Sequence, residues 1–360
     1  MTKLVIQIPC LNEEATLPAV FADMPGDIPG VDEIEYLVID DGCTDATVEV
    51  ARRLGVRHFV HHTRTMGLGQ SFQDGAMKAL EMGADILVNT DGDNQYPSDR
   101  IADLVAPIVH GMADIVVADR QTHKIDHFSP MKKKLQKIGS RVVNIAASTE
   151  LPDAASGFRA YSRESLIKLN LVTKFSYCME TIIQAGNKRL QIVSVPVDTN
   201  PKTRESRLFR STREHVMKSG VTILRAYIMY RPLMFFASLG ALLFLLGLVP
   251  FVRFLVLTAM GEGLGVARHI QSLLVGGVLI LSALITFSLG VIADLIRINR
   301  ALIEDGLVQQ KRQRFGPAGS GLPERGQPAD APGHAGRDLG RPAAPVGGAG
   351  PAARGPQPVG

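Results

Sequence analysis

Two long runs without a charged residue set the first limit on what this chain can fold into. Pro232 to Val252 lies between Arg231 and Arg253, and Ser272 to Ile292 ends just before Asp294. A helix of roughly 20 apolar residues crosses the ~30 Å hydrocarbon core of a bilayer, and uncharged runs of that length are rare as buried helices of water-soluble proteins. Gly240, Gly247, Gly276 and Gly277 suit helices that pack closely in lipid. Two transmembrane helices are therefore expected, at about 232–257 and 272–296.

Basic residues at the ends of these spans give an orientation. Arg210, Arg213, Lys218, Arg225 and Arg231 precede the first, and Arg297, Arg300, Lys311, Arg312 and Arg314 follow the second, whereas the connecting loop holds only Arg253 and Arg268. Lys and Arg gather on the cytoplasmic side, so both termini are expected there. Met1-Thr2-Lys3 leads directly into a strand-like run, and no signal peptide is expected. Cys10, Cys43 and Cys178 are odd in number and widely spaced, which suggests neither a disulfide framework nor a zinc site and fits a reducing compartment. The formal net charge of +4 resides partly in juxtamembrane arginines, so the expected partner is anionic lipid and no nucleic acid. Richness in Ala, Gly and Arg points to a bacterial inner membrane.

Residues 1–209 alternate short apolar strands with helices. Strands are expected over Leu4 to Pro9, Tyr36 to Ile39, Val56 to His61, Ile86 to Val88, Ile115 to Ala118 and Ile192 to Val197. Helices are expected over Glu13 to Phe21, Thr44 to Leu54 with Thr44 or Asp45 as cap, and Gly69 to Met82. Nearly continuous apolar strands between helices imply an α/β domain with a Rossmann-like, mostly parallel sheet covered on both faces. Ligand sites in such sheets lie beyond the carboxyl ends of the strands. There the chain places Asn12 and Glu13, then Asp40 and Asp41, then Asp91 and Asp93, then Arg120. Residues 210–231 mix Val216, Val221, Leu224 and Ile228 with basic residues and are expected to form an amphipathic helix at the membrane interface. Residues 305–360, rich in Gly, Pro, Ala and Arg, are expected to be disordered.

The acid pair Asp91-Gly92-Asp93 follows an apolar strand. Hard oxygen ligands so placed suit Mg²⁺ or Mn²⁺ that also binds phosphate. Alone, such a pair is more often a turn or a helix cap. It is not alone here. Ile8-Pro9-Cys10-Leu11-Asn12-Glu13-Glu14, Val38-Ile39-Asp40-Asp41-Gly42-Cys43-Thr44-Asp45, Asp91-Gly92-Asp93-Asn94-Gln95 and Ala155-Ser156-Gly157-Phe158-Arg159 occur in order. In that order and spacing they resemble the family 2 glycosyltransferases of the GT-A fold. More narrowly, with two membrane helices behind the domain, the chain from about residue 3 to 300 is similar to polyprenyl-phosphate glycosyltransferases, the group that includes dolichol-phosphate mannose synthase.

The resemblance implies roles for individual residues. Pro9, Asn12 and Glu13 match the first nucleotide-contacting loop, and Asp41, with Asp40 beside it, matches the acid that hydrogen-bonds the base. Asp91 and Asp93 match the metal pair, with Gln95 as their polar companion, and the implied cofactor is Mg²⁺ or Mn²⁺ held against the diphosphate of a UDP- or GDP-sugar. Asp153, Ser156, Gly157 and Arg159 match the segment that closes over sugar and acceptor, and Arg120 stands where a basic residue receives the acceptor phosphate. Arg204 and Arg207 match a mobile basic loop that grips the donor diphosphate, with Glu205 where Gly or Pro is common. A homo-oligomer is compatible with the resemblance.

An ionised lipid phosphate needs no general base, so an inverting in-line displacement is expected, with Glu180 as the candidate should a base take part. Lys132-Lys133-Lys134 reads as a basic face near lipid headgroups. His61, His62, His123 and His127 receive no role. A processive polysaccharide synthase would carry a Gln-x-x-Arg-Trp motif, and this chain has no tryptophan. An inert nucleotide-sugar-binding membrane protein is the other alternative, and the intact acids and arginines oppose it.

Overall fold

The computed structural model describes residues 1–121, 130–171, 177–200, 221, 224–225, 227–260 and 270–315, with only the backbone of 130–136. Arg204, Arg207 and most of the interfacial helix expected at 210–231 fall outside these residues, as do the side chains of Lys132, Lys133 and Lys134.

Seven strands form one sheet. They are β1 (Lys3–Cys10), β2 (Glu33–Asp40), β3 (His58–His61), β4 (Ile86–Asn89), β5 (Ile115–Asp119), β6 (Arg159–Ser162) and β7 (Ile192–Pro196), in the spatial order β3-β2-β1-β4-β6-β5-β7. All neighbours are parallel except where β6 runs antiparallel to both β4 and β5. The parallel sheet was legible as apolar runs, but β6 was not, because it opens on a charged residue.

Helices α1 (Leu17–Ala22), α2 (Thr47–Arg53), α3 (Leu68–Glu81), α4 (Ile101–Val109), α5 (Pro130–Ala147), α6 (Arg163–Lys168) and α7 (Tyr177–Asn187) cover the sheet. Side chains alternate faces along a strand, so each strand serves two cores. Val5, Leu37, Leu87 and Val117 pack with Phe72 and Ile182 on one side. Leu4, Ile6, Val38, Ile86 and Val116 pack with Leu104 and Ile108 on the other. Each such side chain contributes about 1.5–3 kcal/mol by leaving water.

The strand order reverses between β1 and β4, and the cleft of an open α/β sheet lies at that reversal. Pro9 helps to open it. The β1–β4 ladder ends with Gln7 opposite Asn89 and the Thr90 N–H on the Gln7 carbonyl at 3.1 Å. Two residues on, Pro9 takes the next position on that side and has no N–H to offer, while β1 continues its pairing with β2 to Cys10 opposite Asp40. The chains after β1 and β4 therefore diverge.

Beyond the domain, α8 (Pro232–Ala259) and α9 (Ile270–Phe315) are both long and apolar enough to cross a membrane. They meet along a seam of small residues seven apart. A Cβ on Gly247 would lie 2.9 Å from the Gly276 carbonyl oxygen, and one on Gly276 would lie 2.8 Å from the Gly247 oxygen. Gly240 faces the Ala283 carbonyl and Gly290 faces Phe236 in the same seam. Gly277, expected in the contact, has nothing within 4 Å of a Cβ and stands outside it.

The second helix is also longer than expected. Residues 305–315, assigned to a disordered tail by composition, are the last turns of α9. Their support is tertiary. The Arg163 guanidinium donates to the Phe315 carbonyl at 2.7 Å, Lys311 Nζ donates to the Leu169 carbonyl at 2.6 Å, Lys188 pairs with Glu304 at 3.2 Å, and Arg312 pairs with Glu164. Val308 and Phe315 pack against the core on the α3 and α7 side. A helix with so many polar residues persists because it is docked.

Candidate active site

The parallel strands β1, β2, β4 and β5 deliver Asn12, Asp40, Asp41, Asp91, Asp93 and Arg120 to one edge of the sheet, as expected. The loops after β1 and β2 are sewn together. Asn12 adopts a left-handed backbone (φ 58°), tolerated by Asn better than by most residues, and its Oδ1 accepts the Thr44 N–H at 2.7 Å. The Glu13 N–H donates to Thr47 Oγ1 at 2.8 Å, and Asp45, not Thr44, accepts the Thr47 N–H at 3.1 Å. Glu13 itself is buried.

Asp40 and Asp41 support loops. Asp40 Oδ1 accepts the N–H groups of Gly42 (3.2 Å) and Cys43 (2.7 Å), and its Oδ2 meets His61 Nδ1 at 3.0 Å. Burial alone would raise the Asp40 carboxyl, but the hydrogen bonds from His61 and Cys43 outweigh it and hold the group below its ordinary value. Asp41 Oδ1 accepts the Met66 N–H at 2.8 Å and meets His62 Nδ1 at 2.7 Å, while Oδ2 accepts the Gly67 N–H at 2.9 Å. His62 Nε2 lies 3.1 Å from Asp74 Oδ2, and Gln70 donates to Asp74 from the next turn of α3. Both histidines, given no role from sequence, thus clamp the two aspartates. The signal was in the register: β2 and β3 are parallel neighbours with Asp40 opposite His61.

The acid pair sits on a tight turn after β4. Its glycine allows a close approach, since a Cβ on Gly92 would lie 3.1 Å from Cys10 Sγ and 3.2 Å from Glu13 Cγ and would press both side chains aside. Thr16 Oγ1 donates to the Gly92 carbonyl at 2.7 Å, tying the turn to the β1 loop. Asp93 Oδ1 accepts the Gln95 N–H at 3.1 Å, and Asn94 takes a left-handed conformation (φ 57°). Asn200 then binds the same turn, its N–H on the Gln95 carbonyl at 3.0 Å and its amide on the Asn94 carbonyl at 3.1 Å. The chain therefore enters the 201–220 segment, which holds Arg204 and Arg207, from beside the acid pair. Nothing in the sequence marked Asn200.

A buried polar network lies beneath Asp91. Gln7 Nε2 donates to Asn89 Oδ1 at 2.8 Å, and Asn89 Nδ2 donates to the Tyr177 hydroxyl at 2.7 Å and the Gly157 carbonyl at 3.0 Å. The Gly157 N–H donates to the Tyr96 hydroxyl at 3.1 Å, and a Cβ on Gly157 would stand 3.6 Å from Asp91 Oδ2. Burial pushes Tyr96 up to about 12 and Tyr177 well above its ordinary value, so both remain neutral braces.

The residues matched to sugar and acceptor turn out to be committed within the protein. Arg120 grips Asp153 with two parallel hydrogen bonds, 2.6 Å from Nε and 3.1 Å from a terminal nitrogen, and the Asp153 side chain is 1% exposed. Burial opposes the Asp153 charge, yet the Arg120 guanidinium holds its carboxyl below the usual range. Arg159 is fully buried and donates to the carbonyls of Ala154, Ser156 and Cys178 and to the Thr181 hydroxyl at 2.7–2.9 Å. It braces the 154–159 loop from inside, and with Ser156 also fully buried, Gly157 is the member of that motif that reaches Asp91. Glu180, the candidate base, is buried where α7 meets α9, with Gln184 Nε2 at 3.2 Å and Arg300 at 3.8 Å.

Two carboxylates at a strand end, with no cluster of three or more His, Cys, Asp or Glu side chains among the described residues, fit a hard cation whose other positions are filled by substrate oxygens and water. Burial raises the Cys10 and Cys43 thiols beside the site, Cys43 to about 11, which favours the neutral thiol over the thiolate.

The comparisons with known proteins meet this geometry. The family model described as glycosyl transferase family 2 matches residues 5–169, which contain most of β1, all of β2 to β6, and Glu13, Asp40, Asp41, Asp91, Asp93 and Asp153. The chain carries a family 2 glycosyltransferase domain. Among curated relatives, the UDP-N-acetylglucosamine–dolichyl-phosphate N-acetylglucosaminyltransferase of Methanococcus voltae is 28% identical over 53% of this chain and 83% of its own length. The polyprenol monophosphomannose synthase of Mycolicibacterium smegmatis is 26% identical over 54% and 76%. The undecaprenyl-phosphate mannosyltransferase of Micrococcus luteus is 28% identical over 53% and 80%. A solved structure, the glucosyl-3-phosphoglycerate synthase of Mycobacterium tuberculosis with Mn²⁺, UDP and phosphoglyceric acid, is 19% identical, covers 63% of this glycosyltransferase and 78% of that chain, and has a TM-score of 0.48, a likeness that assigns no ligand here.

Proposed function

We propose that this glycosyltransferase moves a sugar from a UDP- or GDP-sugar to a polyprenyl phosphate, with inversion, at the cytoplasmic face of a membrane. The observation that carries the reading is the Asp91-Gly92-Asp93 turn at the strand-order reversal, tied by Asn200 to the segment that leads to Arg204 and Arg207. The names of relatives that act on dolichyl, polyprenol and undecaprenyl phosphates supply the acceptor class.

In this reading Asp91 and Asp93, with Gln95 beside them, hold Mg²⁺ or Mn²⁺, which when bound neutralises charge on the departing diphosphate. Arg204 and Arg207 bind the same diphosphate through guanidinium forks. Asp41 meets the base, and Asn12 and Glu13 fix the loop beside it. The acceptor phosphate is already ionised at neutral pH and attacks the anomeric carbon directly, so the protein's contribution is positioning and charge stabilisation, without a general base. Arg120 and Asp153 shape the acceptor side as a buried pair.

The acceptor explains the hairpin. Each methylene of a polyprenyl chain moved into water costs about 0.8 kcal/mol, so the site must come to the bilayer surface. Arg231, the residue before α8, donates to Ser148 Oγ at the end of α5 at 3.0 Å, which supports placing α5 and its lysines beside the headgroups.

Membranes containing the protein, supplied with a panel of radiolabelled UDP- and GDP-sugars and a short-chain prenyl phosphate, test the reading. Label should enter the solvent-extractable lipid with at least one donor. Nucleotide binding without any lipid-linked label would defeat it.

A further inference from the structure

From the hydrogen-bond capacity of Asp41 we infer that the donor is a uridine nucleotide and that His62 is the residue that sets this choice. The inference rests on the reading that Asp41 meets the base. A carboxylate offers about four acceptor positions. Three of those on Asp41 are taken, two on Oδ1 by His62 and the Met66 N–H and one on Oδ2 by the Gly67 N–H, which leaves one position on Oδ2. Asp40 is filled the same way, two on Oδ1 by Gly42 and Cys43 and one on Oδ2 by His61. Neither acid presents two open oxygens side by side.

The two candidate bases differ in what they ask of a carboxylate. Guanine presents adjacent N1–H and N2–H donors, which pair with both oxygens of one carboxylate. Uracil presents a single N3–H between two carbonyls, which one oxygen satisfies. A guanine at Asp41 would leave a donor without its acceptor, and a buried polar group left so is costly.

His62 keeps the carboxylate in this state. Each ring nitrogen of His62 faces a carboxylate oxygen, which only accepts, so the ring donates to Asp41 from Nδ1 at 2.7 Å and to Asp74 from Nε2 at 3.1 Å. The His62 side chain is 9% exposed and that of Asp41 8%. The His62 backbone N–H donates to the Asp40 carbonyl at 2.9 Å, so the residue is fixed to the end of β2, next to both acids. Without the ring, Asp41 can turn and offer both oxygens to an incoming base. His62 is thus a positioning residue that acts through Asp41. The relatives divide between one named for a UDP-sugar and two named for mannose transfer, so their names leave the nucleotide open.

Calorimetric titration of the full-length protein in detergent with UDP and with GDP, Mg²⁺ present, tests this. Wild type should bind UDP at least about tenfold more tightly than GDP. His62→Ala should weaken UDP about tenfold and bring the two nucleotides within about threefold of each other. Asp74→Asn, which leaves the Asp41–His62 contact in place, should move the ratio in the same direction by less, and it carries the test if His62→Ala does not fold. GDP binding as tightly as UDP overturns the uracil assignment, and variants with the wild-type ratio overturn the role of His62. Lipid-linked product from GDP-sugars alone would overturn this inference and uphold the transfer reaction, whereas selective UDP binding with no lipid-linked product would do the reverse.

Discussion

Leu4, Leu37 and Leu87 in the sheet are 0% exposed, whereas Leu255, Leu274 and Leu284 in the α8–α9 hairpin are 69%, 69% and 62% exposed. Apart from Pro232 at the start of α8, what the hairpin buries is Gly240, Gly247, Gly276, Ala283 and Gly290. The same side chain is thus placed by two different rules. In the domain, apolar area leaves water and the core fills with large residues. In the hairpin, small residues take the seam and the leucines face outward, the arrangement expected of helices that associate in lipid through close backbone contact. The stretch of α9 past Asp294 joins the two regions by a third means, polar anchoring through Arg300, Glu304, Lys311, Arg312 and Arg314, of which Arg314 reaches Glu81 at 2.6 Å.

The contrast can be broken from either side. The largest effect is expected at the acid turn after β4, where Asp93→Ala should lower sugar transfer by about three orders of magnitude while thermal unfolding is unchanged. Near-normal turnover would remove the metal assignment. Next comes the buried ion pair. Asp153→Asn leaves the Arg120 guanidinium buried without its charge partner and should destabilise the domain by about 3–5 kcal/mol at neutral pH. The sign of the pH dependence follows from the lowered Asp153 carboxyl, whose contribution is fully present above the unfolded value of about 3.9 and is lost as pH falls through the folded one. Chemical denaturation across pH should therefore show wild type and Asp153→Asn converging in acid. Third, Gly247→Leu should weaken the hairpin by about 1–3 kcal/mol through overpacking against the Gly276 carbonyl, whereas Gly277→Leu should be neutral, read by thermal unfolding in detergent. Equal effects would show that the seam is not where small residues matter. The smallest effect belongs to the surface anchors. Arg314→Ala, which breaks a half-exposed pair with Glu81, should cost about 0.2–1 kcal/mol and decrease in effect with added salt.

Much of this organisation was legible in the chain. The strand positions were, because buried parallel strands read as unbroken apolar runs, and so was the Asp-Gly-Asp turn, because polar residues past a strand end mark the ligand edge. β6 was hidden by Arg159, whose charge suggests a surface, although its donors are satisfied by three carbonyls and a hydroxyl in the interior. The acceptor roles given to Arg120, Asp153 and Arg159 followed motif position, which says nothing about whether a charged group already has its partner. Residues 305–315 looked unstructured because their helix is stabilised by the domain and not by their own sequence. The clamp on Asp41 was out of reach, since His62 and Asp74 are brought to it by strand pairing and the turn into α3.

The most direct measurement is nucleoside diphosphate release by the purified full-length protein in lipid nanodiscs with and without polyprenyl phosphate. Release that requires polyprenyl phosphate, is abolished by EDTA and restored by Mn²⁺ or Mg²⁺, and is matched by sugar in the lipid fraction is the predicted result. Release at the same rate in nanodiscs lacking polyprenyl phosphate, with the sugar in a water-soluble product, would contradict it.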